Sequence, residues 1–306
     1  MNKPQSGAGY AQALRAGEHY VAIRNSLGGL LCCLIAYSVL VFAIAMALIS
    51  LGWLLRGRPS SFSQFSADAM QFSYLEGVVG SHLGLASLIV VTMCVVRYVH
   101  KMSPKWLISM QPGMRWRYLL VCALIAVVGL NGVYWISRAG ERLQVALPDN
   151  AFWWFAVVIV TSPLQAAGEE FLFRGYLTQA VGTLVSSSKV AVLFSAAVFA
   201  LLHGSQNLPL FVDRFGFGLL AGAMVLLTGG LEASIAAHAV NNVFSFGYAI
   251  VGGGLVQART MQTSTWGTTF WDLAAYAVTF AVCWWVSKRM NLATRAPKFD
   301  VGSNTR

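Results

Sequence analysis

The sequence predicts an all-α, polytopic integral membrane protein with about eight transmembrane helices, on three observations. Of its 306 residues, 57% are hydrophobic and only 10% charged, against roughly 45–50% apolar and 25% charged in soluble domains. The mean hydropathy is +0.63, and the apolar residues come in long blocks, the pattern of a lipid-solvated chain. The basic residues sit in the gaps between those blocks, where topology-setting residues belong.

Residues 1–26 are polar, carry Lys3, Arg15 and Arg24, and are expected as a cytoplasmic tail. The apolar run 27–55 is too long for a signal-peptide core of roughly 7–15 residues. It is expected as a retained first span, tilted or extending past the bilayer. Further spans are expected at 77–96, 118–137, 152–182, 188–206, 208–229, 231–251 and 268–288, and a basic cytoplasmic tail at 289–306. The membrane domain is thus 27–288. In 103–114, Trp106, Leu107 and Met110 could face lipid as an interfacial stretch, with Lys101, Lys105, Arg115 and Arg117 at the headgroups. An ordinary basic loop fits that segment equally well.

With the N-terminus cytoplasmic, 14 of the 21 Lys and Arg residues fall on the inside, 5 in outside loops, and Arg174 and Arg214 within spans. That asymmetry places both termini in the cytoplasm. The net charge of +10 does not signal nucleic acid, because the basic residues form no single stripe or arm. Cys32, Cys33, Cys94, Cys122 and Cys283 all lie in apolar blocks without zinc spacing and are expected as small buried hydrophobes.

Ionisable groups inside spans cost on the order of 3 kcal/mol each on insertion scales, which makes them functional suspects. Glu170 and Arg174 are four residues apart, share a helix face and can pair. Glu169 points about 100° away and lacks that partner. A poorly solvated carboxylate suits a general base acting on water, although both glutamates could be purely structural. His203 follows Phe199 in an apolar helix. His238 and Asn242 are four apart, and an imidazole and a carboxamide aimed at one point can stabilise an oxyanion. Interhelical hydrogen bonding is the alternative use. Asp213 and Arg214 either line a water-filled entrance or pair locally. At about 1.5 Å of rise per residue, Glu169, His203, His238 and Asn242 stand roughly 10–22 Å from one membrane face. They can therefore converge on one pocket, with access from the cytoplasm or from within the bilayer.

The order EExxxR (Glu169, Glu170, Arg174), FxxxH (Phe199, His203) and HxxxN (His238, Asn242) resembles the signature of the CAAX prenyl-protease and bacteriocin-processing family, also called the Abi or CPBP family. The signature covers about residues 160–250. The resemblance implies an intramembrane glutamic endopeptidase. In it Glu169 is the general base, His203 positions the water, Glu170 and Arg174 shape the site, and His238 and Asn242 stabilise the oxyanion. Phe199 is implied as a packing residue. Glu169, His203 and His238 are chemically plausible zinc ligands, but there is no HExxH pair and the family is understood as metal-independent, so no metal or cofactor is expected. The expected partners are a membrane-associated peptide or protein substrate and the lipid bilayer, with no nucleic acid. Two competing readings are an inactive membrane partner or immunity protein of the same family, and a proton-coupled transporter.

Overall fold

The computed structural model describes residues 1–16, 21–142 and 144–299. Parts of both expected tails, 17–20 and 300–306 with Arg306, lie outside the described residues. A chain in lipid must satisfy its own backbone hydrogen bonds, which leaves helices as the means of crossing. The described residues accordingly contain helices, turns and three isolated bridges, but no strand.

Ten helices carry the architecture: α1 (Ala22–Leu55), α2 (Phe62–Met70), α3 (Leu75–Tyr98), α4 (Trp116–Ser137), α5 (Ala151–Val185), α6 (Ser188–Leu201), α7 (Leu208–Thr228), α8 (Glu232–Val251), α9 (Leu255–Thr260) and α10 (Trp266–Arg289). The fold is an all-α, polytopic membrane protein. Six helices, α1, α3, α4, α5, α7 and α10, are long and apolar enough to cross a membrane. The other two expected spans are present as helices with a different character. α6 has 14 residues and ends five short of expectation, at Leu201. α8 has 20 residues, but Glu232, His238, Asn241 and Asn242 dilute its apolar content.

Neighbouring helices run α1, α3, α5, α8, α4, α10, α7 and α6, and return to the second half of α5. Two connected layers of loops cap this bundle. At one face, residues 2–15, 101–113, 182–188, 228–232 and 293–296 meet. Gly9 bridges Arg295 and Ser109 bridges Gly230, and Arg15 Nη2 donates to the Thr183 carbonyl at 3.3 Å. At the other face, Asn207 N donates to the Gln262 carbonyl at 2.9 Å, and Ala146 N to that of Val251 at 2.8 Å. Arg259 Nε there donates to the Met70 carbonyl at 3.4 Å.

The termini face differs from the sequence expectation. Trp106, Leu107 and Met110 are buried rather than turned to lipid. Tyr10 reaches over to donate to the Leu107 carbonyl at 2.5 Å, and Tyr10, Ala13 and Leu14 join the same core. An N-terminal segment with enough apolar side chains covers this loop and removes it from the interface. Arg115, expected at headgroups, instead forms an ion pair with Glu232 at 2.5 Å, and its Nη1 donates to the Thr228 carbonyl at 2.9 Å. Of the cysteines, Cys33, Cys122 and Cys283 are buried, whereas Cys32 and Cys94 are exposed on the outer surface of the bundle.

Candidate active site

α5 places the first motif. Its α-helical part ends at Glu170, and a π-helical segment, Phe171–Leu177, follows before the α-helix resumes. Such wide turns occur often at functional sites, because they re-aim side chains that a regular helix would space evenly. α5 comes close to α3 here, since a Cβ on Gly168 would run into the Leu85 carbonyl. Glycine is what lets the two backbones meet beside the glutamates.

Glu170 and Arg174 are 0% and 1% exposed and paired through Arg174 Nη1 and Glu170 Oε1 at 3.0 Å. The pairing read from their spacing is present. The guanidinium also lies over two rings, 4.1 Å from the centre of Phe199 and 4.8 Å from that of Phe217. Cation–π attraction strengthens when both partners are desolvated, so these rings help offset the cost of a buried charge. Phe199 thus does more than pack.

α8 brings His238 between the two glutamates. His238 Nδ1 is 2.8 Å from Glu170 Oε1, and Nε2 is 3.5 Å from Glu169 Oε2. Arg174, Glu170, His238 and Glu169 therefore form a chain of neighbours that alternates in sign when the imidazole is protonated. One turn along α8, Asn242 Nδ2 donates to Gln165 Oε1 at 2.8 Å. The Asn242 carbonyl oxygen accepts from Asn241 Nδ2 at 3.3 Å. One Asn242 N–H is left for the cavity.

His203 lies beyond the end of α6, in the turn after Leu201. Its Nδ1 is 2.7 Å from the Phe199 carbonyl oxygen. A carbonyl can only accept, so Nδ1 carries the proton, and neutral His203 presents a bare Nε2. That nitrogen can accept a hydrogen bond from water.

Two cavities meet at these residues, of about 770 Å³ and about 690 Å³. Glu169 and His203 both line the smaller one, and His203, His238 and Asn242 line both. Asp213 and Arg214 line the larger, as the entrance reading expected, and Arg214 Nη1 donates to Gln206 Oε1 at 2.8 Å rather than pairing with its neighbour. Both cavities are walled by loop residues of the face opposite the termini, such as Arg138, Ser205 and Thr260. The sequence expects access from the cytoplasm or from within the bilayer, with both termini cytoplasmic; the cavities are walled on the face away from the termini. Counting depth along each helix located the pocket but not its opening, and His203 sits at the far end of α6.

Sequence reasoning missed Gln165 and His82. Gln165 is 7% exposed and one turn ahead of Glu169, a carboxamide in an apolar stretch on the same helical face. That placement was the available signal. His82 lines the smaller cavity, and its Nδ1 is 2.7 Å from Thr161 Oγ1. Among the described residues, no group of three or more His, Cys, Asp or Glu side chains is arranged to hold a metal ion.

Comparison with known proteins bears on residues at the centre of this geometry. The chain is 24% identical over 212 residues to the uncharacterized protein YyaK of Bacillus subtilis (strain 168), an alignment covering 63% of this chain and 70% of that one. No solved structure matches it. Residues 150–244, which hold all three motifs, match the family model of the Rce1-like type II CAAX prenyl endopeptidases, and this similarity bears out the resemblance that the motifs carry.

Proposed function

We propose that the chain is an intramembrane endopeptidase that hydrolyses a peptide bond of a membrane-associated peptide or protein, using water activated by Glu169. The single observation that carries the reading is that Glu169 on α5 and His203 in the turn after α6 line one cavity, with His238 and Asn242 in its wall. The match to the Rce1-like family supports it.

The chemistry follows from what each side chain has left to offer. Glu170 is occupied by Arg174 and His238, so it positions rather than reacts. Glu169 is held more loosely, with His238 Nε2 at 3.5 Å and the Gln165 side chain as a hydrogen-bond partner, and can take a proton from water. His203 Nε2 accepts that water's other hydrogen and holds it. As the water oxygen bonds to the peptide carbonyl carbon, the carbonyl π electrons move to oxygen. His238 and the remaining Asn242 N–H stabilise that oxyanion, a contribution worth about 10²–10³-fold per donor. Collapse breaks the C–N bond, and the proton held by Glu169 passes to the leaving amine. No serine, cysteine or metal takes part in this scheme. The arginine and lysine distribution supports a cytoplasmic location for both termini.

The test uses purified protein in detergent and an internally quenched peptide ending in a prenylated cysteine motif, alongside its unprenylated twin. Wild type cleaves at least one, Glu169→Gln and His203→Ala cleave neither, and chelators leave the rate unchanged. Equal cleavage by wild type and both variants sinks the reading. Activity lost on chelation and restored by zinc replaces it with a metal mechanism. No cleavage by wild type, together with a cellular phenotype that survives Glu169→Gln, favours an inactive membrane partner.

A further inference from the structure

The two layers of loops give the site a direction. One layer gathers the chain's first residues, its last described ones and the connections α3–α4, α5–α6 and α7–α8. Neither cavity reaches that layer. Arg115 and Glu232 clasp it at 2.5 Å, and Tyr10, Trp106, Leu107 and Met110 are buried beneath it. Both cavities instead open among Arg138 and Glu141 after α4, Ser205 after α6, and Thr260 at the end of α9.

Charge then orients the two layers. Among the described residues, thirteen lysines and arginines belong to the termini side and five to the side with the openings. Short loops with that bias remain cytoplasmic on the rich side. The smaller cavity also has α1 for a wall, through Ser38 and Phe42, which are exposed on the outside of the bundle. A visitor in that cavity can stay in contact with lipid while reaching Glu169.

We infer that the substrate approaches Glu169 from the extracytoplasmic side, and that its class is a membrane-tethered peptide whose scissile bond lies in or above the outer leaflet. The nature of the visitor rests on the peptidase reading; the side from which it comes does not.

Cysteine accessibility tests the route on the full chain in membranes. Cys32 and Cys94 are first replaced by alanine, since the three remaining cysteines are buried. Ser205→Cys and Thr260→Cys report on the openings, and Gln111→Cys, exposed at the opposite layer, is the control. Right-side-out vesicles are treated with a membrane-impermeant charged maleimide. Ser205→Cys and Thr260→Cys are modified, and Gln111→Cys is modified only when the vesicles are inverted. The inference is overturned if the first two react only in inverted vesicles, if all three react from one side, or if the first two stay unmodified in detergent. Cleavage of the quenched peptide by the same preparations is scored separately. An inactive wild type with the expected labelling would count against the peptidase and leave the route standing.

Discussion

His238 stands between Glu170, 2.8 Å from its Nδ1, and Glu169, 3.5 Å from its Nε2. The two contacts are unequal, and the division of labour proposed for the adjacent carboxylates rests on that inequality. The shorter one belongs to a group already held by an arginine. The longer leaves Glu169 the more weakly engaged of the two, with capacity to accept a further hydrogen bond from the cavity it lines.

Glu169→Gln keeps size and shape but removes the carboxylate proposed as the base. Catalysis of cleavage is expected to fall by about 10²–10⁴-fold, the usual range for a lost general base, with the thermal midpoint in detergent unchanged. Rates of the quenched peptide against protein concentration check this.

Arg174→Ala leaves Glu170 buried without its cationic partner. Breaking a buried pair by removing one partner costs about 3–5 kcal/mol, so the variant is expected to accumulate poorly and unfold at a much lower temperature. Arg174→Lys does not restore stability, because an ammonium lacks the flat face that lies over Phe199 and Phe217. Thermal unfolding of the two variants side by side decides it.

Gln165→Met is close to isosteric and removes the acceptor for Asn242. A misplacement of about 1 Å in a reacting group can cost up to about 10²-fold in rate. kcat is therefore expected to drop with KM unchanged. Adding Asn242→Ala to Gln165→Met should cost far less than the product of the two single effects. Fully multiplicative losses would show that the two amides act separately.

His100 lies two residues beyond the end of α3, with Nε2 3.0 Å from the Tyr176 hydroxyl. Burial lowers its pKa from 6.5 to about 4. The unfolded chain takes up a proton below 6.5 and the folded chain does not until about 4, so stability falls as pH drops through that window, by about 1.4 kcal/mol per unit. His100→Gln is expected to flatten this dependence between pH 7 and 4.5, read as the change in thermal midpoint. An equally steep dependence in the variant assigns the acid sensitivity elsewhere.

The helices were legible because lipid imposes a length and a composition on anything that crosses it. Glu170 and Arg174 were legible because helical spacing alone brings them together. What escaped was whatever a distant segment decides. Trp106 reads as an interfacial anchor until Phe299, nearly two hundred positions later, is seen against its ring. Gln165 carries no motif, and its meaning comes from Asn242, 77 residues later. His203 was placed within a span because the hydropathy continues past Leu201, whereas the helix stops there and a turn aims the ring into the cavity. Depth along separate helices could indicate convergence, yet the side on which the cavities open depends on which loops touch, which no local pattern states.

The meeting of Gly9 with Arg295, and of Arg15 with Thr183, gives the molecule a late step in its assembly. The segment whose Tyr10 reaches the Leu107 carbonyl is made among the first, but its partners in α5 arrive some hundred and seventy positions later, and the last arrive only after α10. Until then Leu107 and Met110 have no cover on that side. A ribosome-bound intermediate should therefore expose a greasy patch at the termini face, where insertion factors or chaperones can hold it, and a bulky tag fused close to Tyr10 should prolong that state.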